Sequence, residues 1–178
     1  REKDEFGGAE LNDVLNLTET VKHLEKADSN CIGMFGWSRG GIMTYLSLKE
    51  SDKIKTAIVG NGVTNLYELI ADRPKMETRV LAQCIPNYWK NKEFELKKRS
   101  ALFWANELNK NSSLLILASK EDTRANPEQA EKFAAKLTEL KYDFELRIFQ
   151  TNHYFKGKRA ELDELVINWF NQKLKNYH

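Results

Sequence analysis

Leu114-Leu115-Ile116-Leu117-Ala118 is apolar at every position, and no other feature of the chain restricts its fold as strongly. A strand with one wet face alternates apolar and polar residues. A short run without alternation needs cover on both sides, as in the middle of a parallel sheet flanked by helices. Two further short runs, Cys31 to Phe35 and Ile54 to Val59, end at Gly36 and at Gly60-Asn61-Gly62. A fourth, Phe144 to Phe149, opens with apolar–polar alternation and fits a strand nearer the edge. Helical patterns lie between and around them. Leu11, Val14, Leu15, Val21 and Leu24 form an amphipathic stripe from about Ala9 to Ala27. Asn126-Pro127, a capping residue followed by proline, opens a helix with Ala130, Phe133, Ala134, Leu137 and Leu140 on one face. The last helix carries Leu162, Leu165, Val166, Trp169, Phe170 and Leu174. This alternation predicts an α/β fold, a three-layer αβα sandwich around a parallel sheet of about four strands. The stretch from Asn65 to about Asn109 is irregular and helical, with breaks at Pro74 and Pro86. Residues 1–178 read as a single domain, with no repeats or linker-like tracts.

The chain has 178 residues, 41% of them hydrophobic and 30% charged. With 28 Lys and Arg against 26 Asp and Glu, it lacks the basic excess of a protein that binds nucleic acid through its charge. Lys97-Lys98-Arg99 is the nearest thing to a basic patch and reads as a solvated helix face. No apolar stretch approaches a membrane span, and no signal peptide is visible. Cys31 and Cys84 have no metal-ligand spacing and read as two buried thiols. No metal or other cofactor is expected. The sequence does not indicate a compartment.

The first strand runs into Gly36-Trp37-Ser38-Arg39-Gly40-Gly41, and Ile42 to Leu48 follows with helical spacing. Strand, sharp turn and helix are the context in which G-x-S-x-G acts as a nucleophile elbow, with glycines giving room for close passage around an exposed serine. Among serines, Ser38 alone has this setting. A serine hydroxyl needs a base, and the base needs an acid to orient it. Of three histidines, His23 lies on the first helix and His178 ends the chain. His153 follows the last strand, and Asp122, in Lys120-Glu121-Asp122-Thr123-Arg124, follows the third. Ser38, Asp122 and His153 thus each follow a strand, on the rim where open α/β sheets carry their functional groups. Their order along the chain is that of α/β-hydrolases.

From Phe6-Gly7-Gly8-Ala9-Glu10-Leu11-Asn12-Asp13 onward, the chain resembles the catalytic domain of the prolyl oligopeptidase family (S9) of serine peptidases. The likeness is carried by Gly36-Trp37-Ser38-Arg39-Gly40-Gly41, Arg99 to Ala105, Glu121 to Gln129, and Asn152-His153-Tyr154-Phe155. The separations of Ser38, Asp122 and His153 are also similar to the family's. The resemblance implies a serine peptidase with Ser38 as nucleophile, His153 as base and Asp122 as orienting acid. It also implies one oxyanion-hole donor here, the backbone N–H of Arg39. Tyr67 falls close to where the family places aromatic pocket residues, with Val63, Leu66 and Arg124 as further substrate-binding candidates. Two departures stand out. Ala118-Ser119 replaces the family's His-Gly before the acid, and the bulky Tyr154 replaces a small residue after the histidine.

A complete α/β-hydrolase sheet has about eight strands, and the four found here correspond to its C-terminal half. The chain, starting at Arg1, therefore reads as N-terminally truncated, with the second oxyanion donor upstream. The substrate is expected to be a peptide or a small acyl compound. Three readings remain open from the sequence: a peptidase, an esterase or other acyl hydrolase on the same triad, and a non-catalytic fragment. An open sheet edge at Cys31 to Phe35 suggests self-association.

Overall fold

The computed structural model describes residues 4–175. In chain order it contains α1 (Leu11–Thr20), β1 (Ile32–Trp37), α2 (Arg39–Glu50), β2 (Ile54–Gly60), α3 (Leu66–Asp72), α4 (Tyr88–Lys98), β3 (Ser113–Ser119), α5 (Pro127–Glu139), β4 (Phe144–Phe149) and α6 (Arg159–Leu174). Short helical turns fill the stretch between α3 and β3. The four strands form one parallel sheet in the order β1-β2-β3-β4.

Neighbours in sequence are thus neighbours in the sheet, so crossovers of one hand place their helices on one face. On that face Ala57, Val59, Leu114, Ile116 and Ala118 pack with Ile42, Tyr45, Leu66, Phe133 and Leu137. Alternate residues of the same strands, Ile58, Leu115 and Leu117, point the other way and meet Leu162 and Trp169 of α6. Both faces are therefore dry, which is why β3 is buried at all seven positions and shows no alternation. Thr56 is a polar exception, and it is satisfied: Trp169 Nε1 donates to its hydroxyl at 2.7 Å and Ser113 Oγ at 2.8 Å. A buried hydroxyl without partners would be destabilising.

The ends of the sheet differ from its centre. β4 exposes Arg147 and Ile148, in keeping with its patterning. β1 forms the opposite edge, and Phe35 is 44% exposed there. Beside it, Val14, Leu17 and Val21 of α1 and the turn after it line an apolar groove with Ile32, Met34 and Ile54. This corrects the expected helical stripe: α1 stops at Thr20, a single 3-10 turn reaches His23, and Leu24 is extended and 55% exposed.

Two further expectations are revised. Arg99, read as part of a solvated face, is only 2% exposed. Its guanidinium pairs with Glu95 and donates to the carbonyls of Glu5 and Phe6, joining the N-terminal segment to α4. A buried cation is tolerated only with such partners. Cys31 and Cys84 are free but half-buried rather than buried. No helix among the described residues is long and apolar enough to cross a membrane.

Candidate active site

Ser38 stands between β1 and α2 with φ 54° and ψ −115°. Non-glycine residues avoid this backbone region, at a cost of about 1–3 kcal/mol, unless their surroundings hold them there. The hold is visible. The Ser38 N–H donates to the Gly60 carbonyl at 2.8 Å, and its own carbonyl accepts from the Gly41 N–H at 2.9 Å. The elbow also needs two close approaches. A Cβ on Gly36 would lie 2.1 Å from Thr44 Oγ1 and 2.3 Å from the Gly40 carbonyl oxygen, and one on Gly41 would lie 2.8 Å from Gly62 Cα. Gly40 needs no such room, since a Cβ there would meet nothing within 4 Å. The tight passage expected at Gly40 is therefore at Gly41. Arg39 is the first residue of α2, and its N–H, like others of a first helical turn, has no acceptor within the helix.

Asp122 and His153 meet. His153 Nδ1 lies 2.6 Å from Asp122 Oδ2, with the Asp122 side chain wholly buried and the His153 side chain 6% exposed. The other carboxylate oxygen, Oδ1, accepts from the backbone N–H groups of Arg124 at 2.7 Å and Ala125 at 3.0 Å. With both oxygens engaged, the carboxylate has one orientation, and it presents an acceptor to the imidazole.

The two loops are fastened to each other. The Lys120 N–H donates to the Phe149 carbonyl at 2.8 Å and the Glu121 N–H to that of Thr151 at 3.0 Å. Thr151 Oγ1 then donates to the Lys156 carbonyl at 2.9 Å, closing the loop that carries His153. Beneath it, Phe155 packs on Trp37 and Phe149, with ring centroids 5.0 and 4.9 Å apart. The Trp37 ring also stands edge-on to His153, with centroids 6.4 Å apart. The residue before Ser38 thus packs against His153 itself.

Asn61 links these parts and was not singled out by sequence reasoning. It follows Gly60, the acceptor of the Ser38 N–H, and is 4% exposed with φ 46°. Its Nδ2 donates to the His153 carbonyl at 3.0 Å and to Ser119 Oγ at 2.9 Å. Its backbone N–H donates to the Leu117 carbonyl at 2.7 Å. Gly60-Asn61-Gly62 at a strand end was the available signal, because asparagine tolerates positive φ and offers donors at short range. The same bonds account for Ser119: the hydroxyl that departs from the family pattern is a buried acceptor for Asn61.

The remaining candidates fall into two groups. Leu66 is fully buried and Val63 is 6% exposed, both within the core. This corrects their assignment to a substrate-lining surface: what these side chains contribute is packing. Tyr67 is half-buried, with its ring 5.5 Å from Phe103 and its hydroxyl donating to Glu93 at 2.9 Å. Burial and the adjoining Glu93 push its phenol above the usual range. Arg124 is exposed two residues after Asp122. His23 is exposed at the end of the turn after α1, and His178 lies outside the described residues.

The arrangement resembles known proteins throughout its length. The sequence model of the prolyl oligopeptidase family matches residues 2–177. An uncharacterized peptidase, YuxL, of Bacillus subtilis (strain 168) is 26% identical over 97% of this chain and 27% of its own length. The acylaminoacyl peptidase of Pyrococcus horikoshii superposes with a TM-score of 0.82 at 27% identity, covering 97% of this chain and 29% of that one. An acylaminoacyl peptidase in complex with Z-Gly-Gly-Phe-chloromethyl ketone gives 0.81 at 28% identity, with the same coverage. The chain therefore spans less than a third of the length of these relatives.

Proposed function

The chain belongs to the prolyl oligopeptidase family, a family of serine hydrolases, and on that premise we propose that it carries the catalytic residues of a peptidase acting through an acyl-enzyme on Ser38. Ser38 Oγ attacks the carbonyl carbon of the scissile bond while His153 Nε2 takes its proton. The tetrahedral oxyanion is met by the Arg39 N–H. His153 then gives the proton to the departing amine. Water repeats the sequence on the acyl-enzyme and frees Ser38. Asp122 keeps the proton of the neutral imidazole on Nδ1, leaving Nε2 as the basic atom, and steadies the imidazolium. The observation that carries this reading is the buried 2.6 Å contact between His153 and Asp122 on the same rim as the strained Ser38. Tyr67 and Arg124 are the side chains we assign to the acyl side of the substrate.

A peptide substrate is favoured over a simple ester because the related acylaminoacyl peptidase is seen with a peptide chloromethyl ketone. Short acyl-peptide p-nitroanilides and p-nitrophenyl esters, offered in parallel to the full-length protein, test this. Anilide cleavage is expected. Hydrolysis of esters alone would support the esterase reading instead.

We also propose that this chain, on its own, pairs with a second copy through β1. Among the described residues no strand pairs with its outer row of backbone groups, and apolar side chains flank it. Open edges of this kind invite pairing, and inward charges block it. Light scattering on the 178-residue chain is expected to show dimers or larger species that Phe35→Lys returns to monomers. A parent chain that stays monomeric at high concentration would contradict the proposal.

A further inference from the structure

Tyr154 follows a buried histidine yet is itself 63% exposed. Its N–H donates to Asn152 Oδ1 at 3.0 Å, and its ring stands edge-on to that of His153, with centroids 5.3 Å apart at 89°. From the neighbouring loop, Arg124 Nη1 donates to the Tyr154 hydroxyl, and the guanidinium carbon sits 5.7 Å from the Tyr154 ring centroid. The Arg124 backbone is also held. Its N–H donates to Asp122 Oδ1, and its carbonyl accepts from Arg73 Nη1 at 2.9 Å. An exposed arginine ordinarily samples many rotamers, and freezing them on binding reduces affinity. Here the side chain has two attachments, both to Tyr154, one by hydrogen bond and one through the ring face.

We propose that Tyr154 is a positioning residue for substrate affinity. It holds the Arg124 guanidinium beside His153, where Arg124 meets the acyl side of the bound substrate. The inference rests on the peptidase reading above, in which Arg124 contacts substrate. It also gives a role to a residue where the family pattern has a small one. Tyr154 acts through Arg124 rather than through the imidazole, because its hydroxyl is engaged by Arg124 while it meets His153 ring against ring.

Steady-state kinetics of the full-length protein on a peptide p-nitroanilide test this with Tyr154→Phe, Tyr154→Leu, Arg124→Met and the double variant Tyr154→Phe/Arg124→Met. Tyr154→Phe keeps the ring and loses the acceptor. It is expected to raise KM by about 2- to 10-fold, the worth of one hydrogen bond, with the effect on KM rather than kcat and with an unchanged pH profile. Tyr154→Leu removes the ring too and raises KM further. Arg124→Met raises KM at least as much as Tyr154→Phe, and the double variant is no worse than Arg124→Met alone. Additive effects in the double variant would overturn the inference. So would a fall in kcat with a displaced pH profile, because Tyr154 would then act on His153. A parent enzyme without turnover or labelling at Ser38 would instead overturn the peptidase reading, and this inference with it.

Discussion

Ser38→Ala is expected to lower kcat by about 10⁶-fold, the loss measured when the nucleophile of an intact triad is removed, while the circular dichroism stays that of the parent. The size follows from the non-additive character of such sites. In the proposed mechanism His153 and Asp122 act only on the Ser38 hydroxyl, so removing the serine discards the work of all three. The fold is expected to survive because the Ser38 side chain makes no capping bond to α2. The elbow is held instead by backbone bonds to Gly60 and Gly41, which alanine keeps. Rates on a peptide anilide, measured beside the parent, check this. A variant that kept more than about a hundredth of the parent's kcat would show that catalysis runs through another group.

Asp122→Asn is expected to cost about 10⁴-fold in kcat with little structural change. The amide oxygen can still accept from the Arg124 and Ala125 N–H groups, as Oδ1 does now. Its NH₂ then occupies the place of Oδ2 and donates to His153 Nδ1. The imidazole must answer with an acceptor at Nδ1, which moves its proton to Nε2, the atom that should receive the proton from Ser38. His153 is then present but in the wrong tautomer for the proposed role. His153→Ala removes it outright and should be at least as damaging. His23, exposed beyond α1, is no substitute. Near-normal rates in either variant, with native circular dichroism, would mean that the His153–Asp122 contact serves stability alone.

Where the sequence was informative, one physical reason recurs. Runs such as Leu114 to Ala118 are apolar because both faces of the sheet are covered, and in a parallel sheet each such run must end at the same rim. Ser38, Asp122 and His153 could therefore be assigned to one rim from their positions after β1, β3 and β4, and of the three the structure joins Asp122 to His153. What could not be read depended on side chains meeting across long stretches of chain. Asn61 reaches Ser119 and the His153 carbonyl, and nothing in its local context names those partners. Arg99 sits in a basic tripeptide that looks solvated, and only the approach of Glu5 and Phe6 makes it a buried tie. Leu66 follows the strand as a pocket residue would, but the helix it begins turns it into the core. Gly40 and Gly41 are alike in sequence, and the close approach of Val59 and Gly62 to Gly41 distinguishes them. The bulky Tyr154 was visible as a departure, whereas its contact with Arg124 was not.

Ser38 is expected to be the one activated serine. Treating the full-length protein with a fluorophosphonate probe and mapping the adduct by mass spectrometry tests it most directly, because phosphonylation needs an activated hydroxyl but no particular substrate. A single adduct is expected on the peptide containing Ser38, absent from Ser38→Ala and strongly slowed in His153→Ala. An adduct on a different serine, or undiminished labelling of Ser38→Ala, would contradict it.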